Sequence, residues 1–149
     1  MGQVRTDAQG PEAQVRAGPG GSKARPLSPH LQVWRWHITM AASILTRATG
    51  VALYVGVLIV ALWAVALASG PYGYSFFMGL MGSWLGKLIL FGLTLSIFYH
   101  LAAGIRHLVF DSGRGFAPKA ANASAALCMA FAVAASLVIW AIAFMIGAA

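Results

Sequence analysis

The stretch His100-Leu-Ala-Ala-Gly-Ile-Arg-His-Leu-Val-Phe-Asp111 sets two imidazoles and a carboxylate in a long apolar run. An ionisable side chain at membrane depth is costly, which makes such a histidine a functional candidate by default. At about 100° per residue, Gly104, His107 and Asp111 return to nearly the same helix face as His100. At a rise of about 1.5 Å per residue, His100 stands roughly 16 Å from Asp111. That is close to the bilayer midplane if Asp111 marks the cytoplasmic edge, and it leaves His107 near the headgroups. Two chemistries suit the stripe. In one, His100 hydrogen-bonds across a helix interface and Gly104 permits close backbone approach, as small residues do in membrane bundles. In the other, His100 is an axial ligand to haem iron, Gly104 clears space for the macrocycle, and His107 with Arg106 or Arg47 meets the propionates. The second uses more of the residues, and it leaves a ligand missing. A low-spin b-type haem takes two strong axial ligands as a rule, yet His30 and His37 precede the first apolar span and His107 is nearly two turns away. The other ligand should come from another polypeptide.

A second constellation lies upstream. Ser43 and Arg47 are spaced i, i+4 and share one face of the first helical turns, with Thr39 four residues further back. A guanidinium at that depth wants a phosphate, a carboxylate or a carbonyl. Snorkelling to lipid headgroups would account for an isolated arginine. The neighbouring hydroxyl adds a neutral donor to the cationic one, a pair able to hold a quinone carbonyl at the edge of the apolar layer while an isoprenoid tail stays in lipid.

The elements that must position these residues are membrane spans. Of 149 residues, 60% are hydrophobic and only 9% charged, too apolar for a soluble domain of this size. Three apolar runs, at about residues 45–69, 84–110 and 123–147, each exceed the ~20 residues that cross a bilayer core as a helix. Ser69-Gly-Pro-Tyr-Gly-Tyr74 combines helix breakers with interfacial tyrosines, and Asp111 to Pro118 holds Gly113 and Gly115, so both segments read as turns. The expected fold is all-α, three transmembrane helices after an N-terminal interfacial segment, forming part of a heteromeric bundle. Lipid supplies no hydrophobic drive between helices, so three bare spans call for a partner.

Six of the ten Lys and Arg residues (Arg5, Arg16, Lys23, Arg25, Arg35, Arg47) lie before or at the first span. Arg106, Arg114 and Lys119 cluster about the second turn, while residues 70–80 carry no charge and Lys87 alone sits on that side. The bias of basic residues toward the cytoplasmic face puts the N-terminus and second turn inside. The basic balance thus reports topology, and nucleic acid need not be invoked. An anionic lipid surface or an acidic partner face stays compatible with it. Residues 1–25 are rich in Gly, Ala, Gln and Pro, lack an apolar core and read as a disordered cytoplasmic tail; residues 26–149 form the anchor domain. Asp7 and Glu12 argue against an organellar transit peptide, which favours a bacterial cytoplasmic (inner) membrane over a mitochondrial one. Cys128, within the third span, reads as a buried inert thiol.

Arg25-Pro-Leu-Ser-Pro-His-Leu, leading to Ser43-Ile-Leu-Thr-Arg-Ala-Thr49, and the stretch His100 to Asp111 resemble the two signature segments of the succinate dehydrogenase cytochrome b556 subunit family, the larger membrane anchor. The resemblance runs from about Arg25 to Gly147 with order and spacing kept, and two motifs at matching distance make it specific. It implies that His100 is the axial ligand of a haem b shared with a second small membrane anchor subunit. It implies that Ser43 and Arg47 line the ubiquinone pocket near the iron-sulfur subunit, and that Arg106 and His107 fall near the propionates. Succinate oxidation would belong to a flavoprotein subunit and the iron-sulfur subunit, since this chain has neither a dinucleotide fingerprint nor cysteine ligand sets. One departure is Thr46, where family members commonly carry a histidine before the arginine; no imidazole at that position reaches a propionate. A quinol:fumarate reductase anchor, running the reaction in reverse, and a haem-free structural anchor are the alternatives. A transporter subunit fits less well, because no span combines a broken helix with clustered acidic residues.

Overall fold

The computed structural model describes residues 35–147, and among them every regular element is an α-helix. The expected tail at 1–25 and the interfacial segment up to residue 34, with His30, lie outside the described residues. Arg35 and Trp36, both exposed, close a separate unit, and all the helices belong to the unit that begins at His37. They are α1 (Ile38–Ala68), α2 (Pro71–Gly82), α3 (Trp84–Asp111) and α4 (Pro118–Met145). The helices α1, α3 and α4 are long and apolar enough to cross a membrane.

The 31-residue α1 is about 46 Å long, more than a ~30 Å hydrocarbon core requires. It opens at Ile38, ahead of the apolar run, so Thr39, Ser43 and Arg47 all ride on regular helix. The hydroxyls of Thr46 and Thr49 turn inward on the helix's own backbone: Thr46 Oγ1 donates to the Ala42 carbonyl at 2.8 Å. Such back-bonding satisfies a polar side chain where lipid offers no partner.

The first expected turn is corrected by the structure. Residues 71–82 form α2, and only Ser69 and Gly70 link it to α1. The residues read as breakers stand where a helix start accepts them. Gly70 takes φ 89°, a left-handed conformation that suits glycine, and Pro71 occupies the first turn, where its missing N–H costs nothing. Ser83 then serves two helices, its Oγ donating to Leu80 O at 2.7 Å and accepting from Gly86 N at 3.1 Å. The corner is so tight that a Cβ on Gly86 would stand 2.6 Å from Met81 Cα and crowd the Leu80 and Met81 carbonyls. Between α3 and α4, Gly113 (φ 79°) and Gly115 (φ 82°) turn the chain, and Pro118 starts α4.

Small residues set the packing. Ala125, Cys128, Ala132 and Ser136 make one buried stripe along α4, facing Ser96, Tyr99 and Ala103 on α3. Close approach of this kind maximises van der Waals contact where water supplies no drive. Trp140 Nε1 donates to Thr94 Oγ1 at 3.2 Å and packs edge-on to Phe91, which pins the far end of the seam. Against α1, the Tyr99 hydroxyl donates to the Ala42 carbonyl at 2.9 Å. The large aliphatic side chains point outward: Val51, Val57, Leu101 and Leu127 are all more than half exposed, as suits a surface solvated by lipid.

Candidate functional site

His100 sits near the middle of α3 and meets α1. Its Nδ1 lies 3.2 Å from Thr49 Oγ1, and its Cε1 stands 3.4 Å from where a Cβ on Gly50 would be. Thr49 and Gly50 therefore form the wall against which the imidazole rests, and a larger residue at position 50 would press on the ring. Farther down, a Cβ on Gly56 would meet Leu93 Cδ2 at 3.2 Å. The pairs 50 with 100 and 56 with 93 run in opposite senses, so α1 and α3 are antiparallel.

Ser43 and Arg47 on α1 and Gly104, His107 and Asp111 on α3 are exposed, while Gly50 and His100 are half-buried. Ser43, Arg47 and His107 make no hydrogen bond or ion pair among the described residues, and the His100 ring has no hydrogen-bond partner there besides Thr49. A Cβ on Gly104 would touch nothing within 4 Å, so the space one turn beyond His100 is clear.

Arg106 does not join this group. At six residues from His100 it falls well round the helix, and its guanidinium goes to α4. Nε donates to Ser124 Oγ at 2.9 Å, Nη2 donates to the Ala121 carbonyl at 3.2 Å, and the group lies 4.4 Å from the centroid of the Phe110 ring. A groove of about 520 Å³ between α3 and α4 has Arg106, Leu101, Phe110 and Phe131 in its wall, and His100 is not among its lining residues. Cys128 is buried and unpaired in the α3/α4 core, and the described residues hold no cluster of three metal-ligating side chains.

A single histidine, with no other strong ligand beside it, fits a group whose second ligand another chain supplies. The geometry adds Thr49 and Gly50 to the residues singled out from spacing. Gly50 has one signal in the sequence, its position: it is i+7 from Ser43 and i+3 from Arg47 and so on the same stripe, whereas Thr49, two residues from Arg47, falls on another face. Nothing local says that the stripe meets His100.

Residues 21–139 match the family model described as succinate dehydrogenase/fumarate reductase transmembrane subunit. The chain is 41% identical over 109 residues to the succinate dehydrogenase cytochrome b556 subunit of Paracoccus denitrificans, covering 73% of this chain and 84% of that one. It is 36% identical over 116 residues to the subunit of that name from Rickettsia felis, covering 78% and 90%. With the mitochondrial succinate dehydrogenase cytochrome b560 subunit of Sus scrofa it shares 41% identity over 96 residues, 61% of this chain and 55% of the other.

Proposed function

Because this chain belongs to the succinate dehydrogenase/fumarate reductase transmembrane subunit family, we propose that it is a haem b-carrying membrane anchor of succinate dehydrogenase that helps form the site where ubiquinone is reduced. The observation that carries the reading is the set of polar groups that α1 and α3 leave open. They are an imidazole at mid-span and a guanidinium and hydroxyl nearer one end, with no side-chain hydrogen-bond partner among the described residues beyond Thr49. Polar groups in such a position need partners, and lipid tails supply none.

In this reading His100 would hold the haem iron through Nε2, and a second small anchor subunit would supply the other ligand. Bound there, the haem would accept and release single electrons. Gly104 leaves room beside the ligand, and Arg47 and His107 face the propionate end. Arg47 and Ser43 receive the quinone headgroup: the guanidinium and hydroxyl donate to a carbonyl oxygen and stabilise negative charge that develops on it as electrons arrive. The iron-sulfur and flavoprotein subunits carry the oxidation of succinate, and the cytoplasmic membrane of a bacterium holds the assembly with the N-terminus of this chain inside.

The test is a dithionite-reduced minus oxidised spectrum of the purified complex with His100→Leu. The b-type Soret and alpha bands are expected to vanish or shift strongly; unchanged bands in an assembled complex would remove His100 from the iron.

A further inference from the structure

Thr49 lies outside every role given above, yet it makes the one hydrogen bond that His100 has among the described residues. The direction of that bond follows from counting protons. A threonine hydroxyl has one hydrogen, and Oγ1 of Thr49 already faces two carbonyl oxygens of its own helix, Leu45 O at 2.8 Å and Thr46 O at 3.1 Å. Carbonyls only accept, and both lie nearer to Oγ1 than Nδ1 does at 3.2 Å, which favours the hydrogen going to its own helix. Placed there, it leaves the oxygen a lone pair toward His100, and Nδ1 brings the proton.

A neutral imidazole with its proton on Nδ1 has its lone pair on Nε2. A Cβ on Gly50 would stand 3.4 Å from Cε1, so α1 lies close along the same edge of the ring. From this we infer that Thr49 is the positioning residue of His100: it selects the Nδ1–H tautomer, leaves the Nε2 lone pair for a ligand, and makes that nitrogen a stronger donor. Ligating histidines characteristically donate their other N–H to a fixed acceptor, and loss of that acceptor lowers metal affinity about 10–100-fold. Here the acceptor is itself held by its helix backbone, so tautomer, ring orientation and the α1–α3 contact are set by one hydroxyl.

The inference rests on the reading of His100 as an iron ligand, and the experiment separates the two. Thr49→Val, which keeps the shape and removes the acceptor, and Thr49→Ser, which keeps the acceptor, are each introduced into the complete membrane complex beside His100→Leu. Thr49→Ala replaces the valine variant if that one fails to assemble. The readouts are the rate of haem loss to an apo-haem acceptor, the low-spin electron paramagnetic resonance g-values and the haem midpoint potential. Thr49→Val is expected to retain a b-type spectrum, to lose haem about tenfold faster, to change the g-values and to move the potential positive, since a less basic ligand stabilises the oxidised iron less. Thr49→Ser is expected to match the unmodified complex. Valine values equal to the unmodified ones, or serine and valine variants altered alike, would overturn the role of the hydroxyl. Haem retained unchanged in His100→Leu would instead overturn the ligand reading beneath it.

Discussion

Arg47 and Arg106 are both guanidiniums in membrane-spanning helices, and the fold treats them in opposite ways. Arg106 has its Nε on Ser124, its Nη2 on the Ala121 carbonyl and a phenylalanine ring beneath it, all from its own chain. Arg47 is exposed and has no such partner among the described residues. The same contrast separates the two sides of α3. Toward α4 the seam is closed with alanine, serine and cysteine, and buried side-chain polar atoms all have partners. Toward the other side, the Ser43 hydroxyl and the Arg47 guanidinium have no side-chain partner among the described residues, and the His100 imidazole has Thr49 alone. A cation that its own fold has satisfied contributes stability, and an exposed one at membrane depth calls for a partner beyond the described residues.

Substitutions that exchange these two behaviours would break the comparison. The largest effect is expected at Arg47. Arg47→Ala should lower quinone reduction about 100-fold, the scale of one lost charge-assisted donor to a developing oxyanion. Succinate oxidation with an artificial acceptor should be unchanged, and an equal fall in both activities of an assembled complex would remove Arg47 from the quinone site. Next is Ser124→Ala, which strips the Nε acceptor from Arg106 on the closed side. It should cost about 1–2 kcal/mol of stability, seen as a lower thermal midpoint of the detergent-purified complex. Quinone kinetics should be unmoved; a kinetic defect there would make the closed side part of the site. The smallest effect is expected at Ser43, where Ser43→Ala removes one neutral hydrogen bond. The Michaelis constant for quinone should rise roughly threefold with little change in thermal midpoint, and a stability loss without a kinetic one would assign Ser43 to packing.

Much of the site was legible before any coordinates. His100 stands out by its charge in an apolar run, and Ser43 with Arg47 by their spacing, because both signals are local. The partner of His100 was not legible. Thr49 is one of several hydroxyls on α1, and Thr39, Thr46 and Ser43 carry the same chemistry. What distinguishes it is that α1 turns its Thr49–Gly50 edge toward α3. The position of Arg106 is a similar case: six residues from His100 it lies on another face, and only packing shows that α4 waits there with Ser124 and Ala121. The helix α2 escaped because Gly70 and Pro71 read as a turn when taken with the tyrosines after them, whereas the same two residues make a helix start once Pro71 is the first turn.

The sequence by itself determined that the chain is a helical membrane protein, where its apolar spans fall, and how far His100 and Arg47 stand along their helices. These follow from hydrophobicity and from the fixed rise of a helix, which act within one segment. The tertiary structure alone decided which helix faces which. In lipid both the packed and the free side of a helix are apolar, so periodicity does not mark the contact face as it does in water. The choice falls to the fit of small residues, such as Gly50 under the His100 ring and Ala132 against Tyr99. That choice put Thr49 beside the histidine and left Arg47 facing outward.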